Sequence, residues 1–404
     1  MAKKQKKVET KGVPSKRQLS KWQRQMRIRR IVIIAASVFL MGIISWVGYG
    51  YYKDRMEPFR EVVIRVNNAS FTMGYYVKML DTYTKGIEPD QIYLMADMVA
   101  NDIINAEVMR QEAKNLGIEV SSKEIDAKIE DNELPNDEAY RDIISAGLFL
   151  GKLREYFDSE LPDSMEQAQV QVMLVESQEL ANEVMTEIET GGNFTALAAE
   201  FSCNPQIEGD LGWLPKELMP NTLIADAAFN LTPGEISQPI YDESAVKSVG
   251  YWLIEVSERQ DEEIKARAML LGSKAEAERV KAELASGNFS SLAEKYSQHE
   301  SKTEGGELGW LKPGDMGSQA FDEVAFNITP NELSEPVKDE SVETTAGYWI
   351  VKIVAKGEHQ LEKGVREGLR DKHLSDWFEE RKENSKIENL LDEEKKSWAV
   401  DKVL

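Results

Sequence analysis

Few residues in this chain have side chains that could carry out covalent or metal chemistry. Its 404 residues include three histidines and one cysteine. His299, His359 and His373 are too few for the usual ligand set of a zinc enzyme, and Cys203 has no second cysteine for a disulfide. The glycines of residues 304–307 lack the spacing and the lysine of a phosphate-binding loop, so we interpret this segment as a turn. We therefore expect no bound metal and no cofactor.

The charge of the chain is divided unevenly along its length. The net charge is -22, yet residues 1–30 contain 12 lysines and arginines and a single acid, Glu9. The remainder is strongly acidic and repels the phosphates of nucleic acids. Acidic runs such as residues 261–263 and 392–394 lack the ligand ladder of a calcium site and are expected to be solvated. The composition argues against DNA or RNA as a partner outside the basic head.

An apolar segment without charged side chains follows the basic head. Residues 31–52 are long enough, as a helix, to span the roughly 30 Å hydrocarbon core of a bilayer. Aromatic residues cluster at the far end, where they suit the lipid–water boundary. By the positive-inside rule, residues 1–30 are expected in the cytoplasm and residues 53–404 outside. The alternative, a cleaved signal peptide, would need a small-residue cleavage site that this stretch lacks.

Residues 61–160 have the pattern of a mostly helical domain. Residues 61–71 alternate in hydrophobicity around two asparagines, which predicts a β-hairpin. Apolar residues at helical spacing predict a long amphipathic helix over residues 89–116. Shorter helices are expected over residues 122–129 and 137–161, the first of them capped by the serine at its start.

The most informative pattern is an internal repeat of 95 to 97 residues. The motifs that return are GNF at 192–194 and 287–289, G-[DE]-L-G-W-L at 209–214 and 306–311, AFN at 228–230 and 325–327, and GYW at 250–252 and 347–349. A period of this length allows each copy its own hydrophobic core. We therefore expect two tandem domains, residues 165–260 and 262–357.

Each copy predicts the same order of elements. A short apolar strand precedes a helix and then a second helix with apolar residues at i, i+3, i+4 and i+7. A glycine-rich loop, a short helix and a strand that begins at the GYW motif follow. This order is typical of an α+β domain. We expect each copy to close on its own strand, residues 250–256 in the first and 347–353 in the second.

The C-terminal segment, residues 363–400, is charged and has a helical pattern throughout. A helix surrounded by water does not need Trp377, Phe378, Ile387 and Leu391. Because no further domain follows in this sequence, we expect the segment to dock on the helical domain. A free coiled coil is the alternative.

The motifs of each copy together resemble the parvulin-type peptidyl-prolyl isomerase domain. The resemblance rests on N-F-x-x-L-A, on G-[DE]-L-G-W, on a following Met, and on P-x-E-[IL]-S-x-P before the GYW strand, twice within residues 165–357. The whole layout resembles the extracytoplasmic foldases of the SurA, PrsA and PpiD kind. Residues 61–160 are then similar to their peptide-binding N-terminal domain.

The resemblance implies a prolyl site in each copy. Such a site binds the twisted X-Pro amide better than either planar form, through an apolar pocket for the proline ring above a polar cluster. The implied substrate-binding residues are Leu308, Met316, Phe321 and Trp349 in the second copy, and Leu211, Met219, Ile224 and Trp252 in the first. Ile224 stands where the second copy has Phe321, so the first copy lacks the aromatic wall.

The polar cluster departs from the family in both copies. Both family histidines are absent, and these positions hold Val172 and Trp252 in the first copy and Ala268 and Trp349 in the second. The loop position at which the family has Cys or Asp falls on Asn204 and His299. His299 is the candidate catalytic residue, and a loop histidine without a role is the alternative. We expect isomerisation to be weak or lost, with more of it left in the second copy.

These inferences predict a membrane-tethered, extracytoplasmic folding factor. Its expected partners are unfolded or proline-containing exported polypeptides, together with the bilayer through residues 31–52. The alternatives are a holdase chaperone without catalysis and a structural partner of the export machinery.

Overall fold

The computed structural model describes residues 56–404 except Pro205 and Glu208, with scattered positions between Met26 and Lys53. The predicted basic head and membrane helix therefore lie largely outside the described residues. In the part that is described, no helix has the length and apolar character needed to cross a membrane.

The described residues form two compact units. One combines the segment up to Tyr156 with Leu374–Leu404, and the other is Phe157–His373. We call the first the helical unit and the second the sheet unit. This is an α+β chain with a helical N-terminal part followed by domains built on sheets, as the sequence predicted.

Strands and helices are numbered in chain order from the start of the helical unit. The strands are β1 (Val62–Val66), β2 (Ala69–Thr72), β3 (Ser164–Val175), β4 (Gly209–Leu214), β5 (Ile240–Lys247), β6 (Gly250–Gln260), β7 (Glu263–Leu271), β8 (Glu307–Leu311), β9 (Val337–Asp339), β10 (Thr344–Gln360) and β11 (Ile387–Asn389). The helices are α1 (Met73–Tyr83), α2 (Pro89–Asn115), α3 (Ser122–Asp131), α4 (Glu138–Glu160), α5 (Gln178–Glu189), α6 (Phe194–Phe201), α7 (Thr222–Asn230), α8 (Lys274–Leu284), α9 (Phe289–Tyr296), α10 (Gln319–Ala325), α11 (Lys363–Glu383) and α12 (Glu393–Val403).

The helical unit begins with the predicted hairpin. β1 and β2 pair antiparallel, and Asn67 adopts φ 53° in the turn, a conformation that asparagine tolerates. α3 begins at Ser122 as expected, but its N-cap is Ser121 and not Ser122. The Ser121 hydroxyl accepts the Glu124 backbone N–H, and the Glu124 carboxylate accepts the Ser121 N–H, which completes a capping box.

The C-terminal segment is not helical throughout, so the expectation of one helical tail is wrong. β11 pairs antiparallel with β1 and places Ile387 opposite Val66. This pairing satisfies backbone groups along an edge of β1 that would otherwise need other partners. Beyond it, Leu391 and Val400 lie in the hydrophobic core of the helical unit. The end of the chain is therefore part of that core.

The sheet unit contains two four-stranded sheets, and each closes on a strand from the other copy of the repeat. The sheet orders are β4-β3-β10-β5 and β8-β7-β6-β9. β10 comes from the end of the second copy but lies between β3 and β5 of the first. β6 comes from the end of the first copy but lies between β7 and β9 of the second. The expectation that each copy closes on its own strand is wrong.

The short connection between the copies explains this exchange. Only Asp261 and Glu262 separate β6 from β7, and Asp261 adopts φ 52°, so the two strands form a hairpin with a two-residue turn. Such a hairpin is the nearest pairing available to β6 along the chain. β10 then completes the first sheet, in which Thr344 lies opposite Lys247.

The exchange nests one domain inside the other. Residues 250–341 hold all four strands of one sheet, and we call them the inner domain. Residues 164–247 and 344–360 hold the other sheet, and we call them the outer domain. The boundaries 165–260 and 262–357 therefore mark sequence copies and not the units within which the strands pair.

Alternation along the exchanged strands gives each sheet two buried faces. In β6, Trp252 and Ile254 pack in one cluster while Tyr251 and Leu253 pack in another. The first face contacts α10, and Phe289 of α9 is buried on the second. The outer sheet has the same arrangement, with α7 on the face that carries Trp349 and α6 on the opposite face.

Candidate functional site

The strand exchange changes which tryptophan belongs to which site. Trp252 lies in one apolar cluster with Leu308, Met316 and Phe321 of the inner domain. Trp349 instead lies with the first-copy residues Leu211, Met219 and Ile224 of the outer domain. The predicted pairing of each tryptophan with its own copy is wrong, because the closing strands that carry both residues are exchanged.

A cavity of about 540 Å³ opens over this cluster in the inner domain. Leu308, Leu311 and Met316 supply its apolar lining, and His299 lines it too. This volume lies within the range of small-ligand pockets and would accommodate a proline ring with its flanking backbone. The sequence had grouped Leu308, Met316 and His299 correctly at one place.

Phe321 and Trp252 lie beneath the cavity and do not form its wall. Phe321 is completely buried and Trp252 is 2% exposed. Their rings meet edge to face, with 5.3 Å between centroids and 79° between planes. The His299 ring also lies 5.3 Å from the Trp252 ring, on the side of the cavity. The two buried aromatics therefore form the floor that supports the lining residues.

A tryptophan–aspartate pair occupies the floor of the inner site. The sequence had indicated only that the histidines of the family's polar cluster are absent. The Trp252 indole N–H donates to an Asp339 carboxylate oxygen at 2.9 Å. Ser318 and Ser341 also donate to this carboxylate. Burial raises the pKa of Asp339, but these hydrogen bonds outweigh burial and hold the pKa below its usual value. Asp339 is therefore an ionised and saturated acceptor, which excludes it as a proton donor near neutral pH.

The outer domain has the same pair. The Trp349 indole donates to Asp242 at 2.9 Å, and Ser244 donates to Asp242 through its backbone and its hydroxyl. Sequence reasoning missed both aspartates. A signal was present, because the tripeptide Asp-Glu-Ser at 242–244 returns at 339–341 with the offset of the other motifs.

His299 is held in one tautomer by the backbone that follows it. Its Nδ1 accepts the Ser301 backbone N–H at 3.2 Å and lies 2.9 Å from the Ser301 hydroxyl. Burial lowers the pKa of His299, and the nearby Glu300 offsets part of this effect. The ring is therefore neutral at pH 7 with its proton on Nε2, the nitrogen that remains available as a donor.

The corresponding site of the outer domain has different side chains with different contacts. Ile224 is completely buried and Met219 is 8% exposed. Asn204, which stands where the inner domain has His299, accepts two backbone N–H groups and donates to the Val246 carbonyl. Its side chain therefore stabilises the loop.

The first part of α11 packs against the turn Lys216–Leu218 that precedes Met219. His373 Nε2 lies 2.6 Å from a Glu217 carboxylate oxygen. A Cβ atom at Gly368 would lie 3.0 Å from the Leu218 side chain. The counterpart of this turn in the inner domain includes Asp315, which lines the cavity. The outer site is thus bordered by a helix where the inner site is open.

The single thiol is structural. The Cys203 Sγ donates to the Leu174 carbonyl at 3.0 Å, and burial raises its pKa to about 12. A thiol with so high a pKa is protonated at neutral pH and is a poor nucleophile.

Comparisons with known proteins identify the families to which parts of this chain are similar. Residues 164–258 and 253–355 match the family model of the PPIC-type PPIase domain, and residues 19–146 match that of the SurA-like N-terminal domain. The chaperone SurA of Chromohalobacter salexigens is 26% identical over 344 residues, which cover 78% of this chain and 73% of that protein. The foldase PrsA of Halalkalibacterium halodurans is 37% identical over 110 residues, which cover 26% of this chain and 31% of that protein.

Among solved structures, the alignment with PrsA from Bacillus subtilis covers 85% of this chain and 92% of that chain, at 16% identity. Its TM-score is 0.21, too low to support a shared arrangement of domains.

The matched regions identify the two sequence copies, from whose strands both sheet domains are built, as PPIC-type, or parvulin-type, peptidyl-prolyl isomerase domains. Since a SurA-like N-terminal domain precedes two of them, the chain belongs to the SurA/PrsA type of foldases. The resemblance inferred from the repeated motifs is confirmed.

Proposed function

We propose that this chain is an extracytoplasmic folding factor whose inner-domain cavity binds prolyl segments of unfolded exported proteins. The observation that carries this proposal is the open cavity with Leu308, Leu311 and Met316 in its lining, within a PPIC-type domain. The chaperone and foldase relatives support unfolded polypeptides as the partners.

The chemistry open to this cavity is rotation about an X-Pro bond without covalent steps. The barrier of about 18–20 kcal/mol arises from lost amide resonance, and a site lowers it by binding the twisted amide more tightly than the planar forms. The apolar lining can hold the ring, and His299 Nε2 can donate one hydrogen bond. In the inner domain the two histidine positions of the family hold Ala268 and Trp252, and the Trp252 indole N–H already donates to Asp339. Each 1.36 kcal/mol of lost stabilisation slows the reaction tenfold. We therefore propose slow isomerisation by the inner domain and none by the outer domain.

Exchange NMR on an Ala-Pro peptide with the full chain tests this assignment. Met316→Ala should abolish whatever acceleration of cis–trans exchange the chain gives, while Met219→Ala, the matched change in the outer domain, should leave it unchanged. His299→Gln should slow exchange without weakening peptide binding. If acceleration survives Met316→Ala but is lost in Met219→Ala, the outer domain carries the activity and our assignment is wrong.

A second candidate function is that of a holdase, and the helical unit favours it. A cleft of about 410 Å³ in that unit is lined by aromatic residues, including Phe71, Tyr75, Tyr83 and Phe149. Aromatic walls suit the apolar segments of unfolded chains. If suppression of client aggregation is unaffected by Met316→Ala, chaperoning is independent of the prolyl cavity. If the full chain suppresses no aggregation, a structural partner of the export machinery is favoured instead.

We further propose that residues 31–52 anchor the chain in the membrane, with residues 53–404 outside. The support is the basic head followed by an uncharged segment of spanning length. Protease added to intact cells should remove the body and spare the head. A mature N-terminus beyond Tyr52 would contradict the anchor.

A further inference from the structure

The rim of the inner-domain cavity is strongly acidic. Four exposed carboxylates line it, those of Glu300, Glu304, Glu307 and Asp315, and the lining contains no lysine or arginine. Among the described residues, none of these four carboxylates takes part in an ion pair. Asp315 accepts the Lys312 backbone N–H at 2.7 Å. The apolar lining is therefore bordered by four carboxylates that form no ion pair within the described part of the chain.

A bound metal ion does not explain this charge. No group of three or more acidic, histidine or cysteine side chains in the described segments is arranged to hold a metal. The carboxylates therefore create a diffuse negative potential around the cavity and not a compact coordination site. Such a potential suits an extended organic cation, which can meet one carboxylate or another.

The fold itself does not require an acidic rim. In the outer domain, 97 residues earlier, Ile207 and Leu218 stand at the positions of Glu304 and Asp315. Asp210 matches Glu307, but its carboxylate already accepts hydrogen bonds from the Gln169 side chain and a backbone N–H. At two of the four rim positions the outer domain thus has an apolar residue where the inner domain has a carboxylate.

We propose that the inner-domain cavity selects prolyl segments in which a lysine or arginine neighbours the proline. The inference rests on the proposed function, because it takes the cavity to be the prolyl site. With the proline ring on Leu308 and Met316, the aliphatic stem of the neighbouring cation covers apolar surface and its charged end reaches the rim. Exposed ion pairs are individually weak and are screened by salt, so the preference should be moderate and should depend on ionic strength.

Three peptides that differ at one position test the preference on the full chain. They carry Lys-Pro, Ala-Pro or Glu-Pro in the same neutral sequence, and Kd is measured by fluorescence anisotropy. At low ionic strength we expect Lys-Pro to bind about tenfold more tightly than Glu-Pro, with Ala-Pro between them. Near 0.5 M salt most of this difference should disappear.

The double variant Glu304→Gln/Glu307→Gln removes two of the four carboxylates. We therefore expect the logarithm of the Kd ratio between the Glu-Pro and Lys-Pro peptides to fall by about half. The control is Glu278→Gln/Glu294→Gln, which changes the net charge equally at exposed positions of α8 and α9, on the opposite face of the sheet. It should leave the preference intact.

The possible failures are distinguishable. If the three peptides bind equally and Met316→Ala weakens all of them, the charge selection is wrong and the prolyl site remains. If the Lys-over-Glu preference survives in the Glu304/Glu307 variant, or is lost equally in the control, the selection does not come from this rim. If no peptide binds, both the selection and the proposed prolyl site are wrong.

Discussion

The inner and outer domains are built from two copies of one repeated sequence. Both have a four-stranded sheet with the same strand arrangement, and both pair a buried tryptophan with an aspartate. They differ around the site, where the inner domain has an open acidic cavity and the outer domain has a turn against which α11 packs. The common features thus belong to the structure of the fold, and the differences are the basis for proposing the inner domain as the ligand-binding copy.

The nesting of the domains can be tested directly with engineered disulfides that report which strands are paired. With Gln171→Cys and Lys352→Cys, a disulfide should form under mild oxidation, because these residues are opposite each other in β3 and β10. With Gln171→Cys and Glu255→Cys, no disulfide should form, since Glu255 lies opposite Arg267 in the other sheet. A Cys203→Ala background removes the native thiol, and mobility on non-reducing gels reports the result.

The second cysteine pair is the control for the first, since Glu255 occupies the position in the first copy that Lys352 occupies in the second. A cross-link between residues 171 and 255, without one between 171 and 352, would mean that each copy closes on its own strand. The chain would then contain two tandem domains, one for each sequence copy, and not an inner domain nested within an outer domain.

The floor and the lining of the inner site should respond differently to truncation. Phe321→Ala should lower the free energy of unfolding of the inner domain by about 3–5 kcal/mol, because it leaves a cavity in a packed core. Met316 is only half-buried, so Met316→Ala should cost less stability and act mainly on peptide affinity. Denaturation with hydrogen exchange resolved by domain measures the first effect, and peptide titration measures the second.

A contrary result would be a loss of peptide binding in Phe321→Ala with the stability of the inner domain unchanged. Phe321 would then contact the ligand directly. The sequence alone had placed it on the pocket wall.

The sequence predicted local features well because they depend on neighbouring residues. The Asn67 hairpin, the long helix that begins at Pro89 and the buried face that includes Phe194 and Phe289 all follow from short-range patterns. The strand exchange was missed. β3 is equally compatible with β6 or β10, which have nearly the same pattern. The connection of only Asp261 and Glu262 favours pairing of β6 with β7, and the sequence analysis did not use this signal.

The candidate site was likewise predicted only in part from the sequence. The motifs located Leu308, Met316 and His299 correctly in one place, since all three come from one copy. They assigned the tryptophans to the wrong sites because these residues come from the exchanged strands. They also missed the acidic rim, because exposed acids are common throughout this chain and only the cavity makes four of them significant.

The aspartate beneath each site should make both domains sensitive to acid. The folded-state pKa of Asp339 lies below its ordinary value of 3.8, so its contribution is present above pH 3.8 and is lost as the pH falls below that value. Asp339→Asn should destabilise the inner domain by about 1–3 kcal/mol at pH 7, and by less as the pH approaches the folded-state pKa. Asp242→Asn is the matched change in the outer domain.

Domain-resolved hydrogen exchange from pH 7 to pH 3 checks this prediction. If Asp339→Asn costs as much at pH 3 as at pH 7, the carboxylate charge is not what stabilises the pair with Trp252.

The contact of α11 with the outer domain should give the smallest effect. Gly368→Ala improves helix propensity by up to about 1 kcal/mol, but the added Cβ would lie 3.0 Å from the Leu218 side chain, which must then move. Gly364→Ala, in the same helix, meets nothing within 4 Å and serves as the control. We therefore expect Gly364→Ala to stabilise the outer domain slightly and Gly368→Ala to stabilise it less or not at all, a difference under about 1 kcal/mol. Equal stabilisation by both changes, in thermal unfolding of the full chain, would mean that the helix does not press on the Lys216–Leu218 turn. The proposal that α11 restricts access to the outer site would then lose its support.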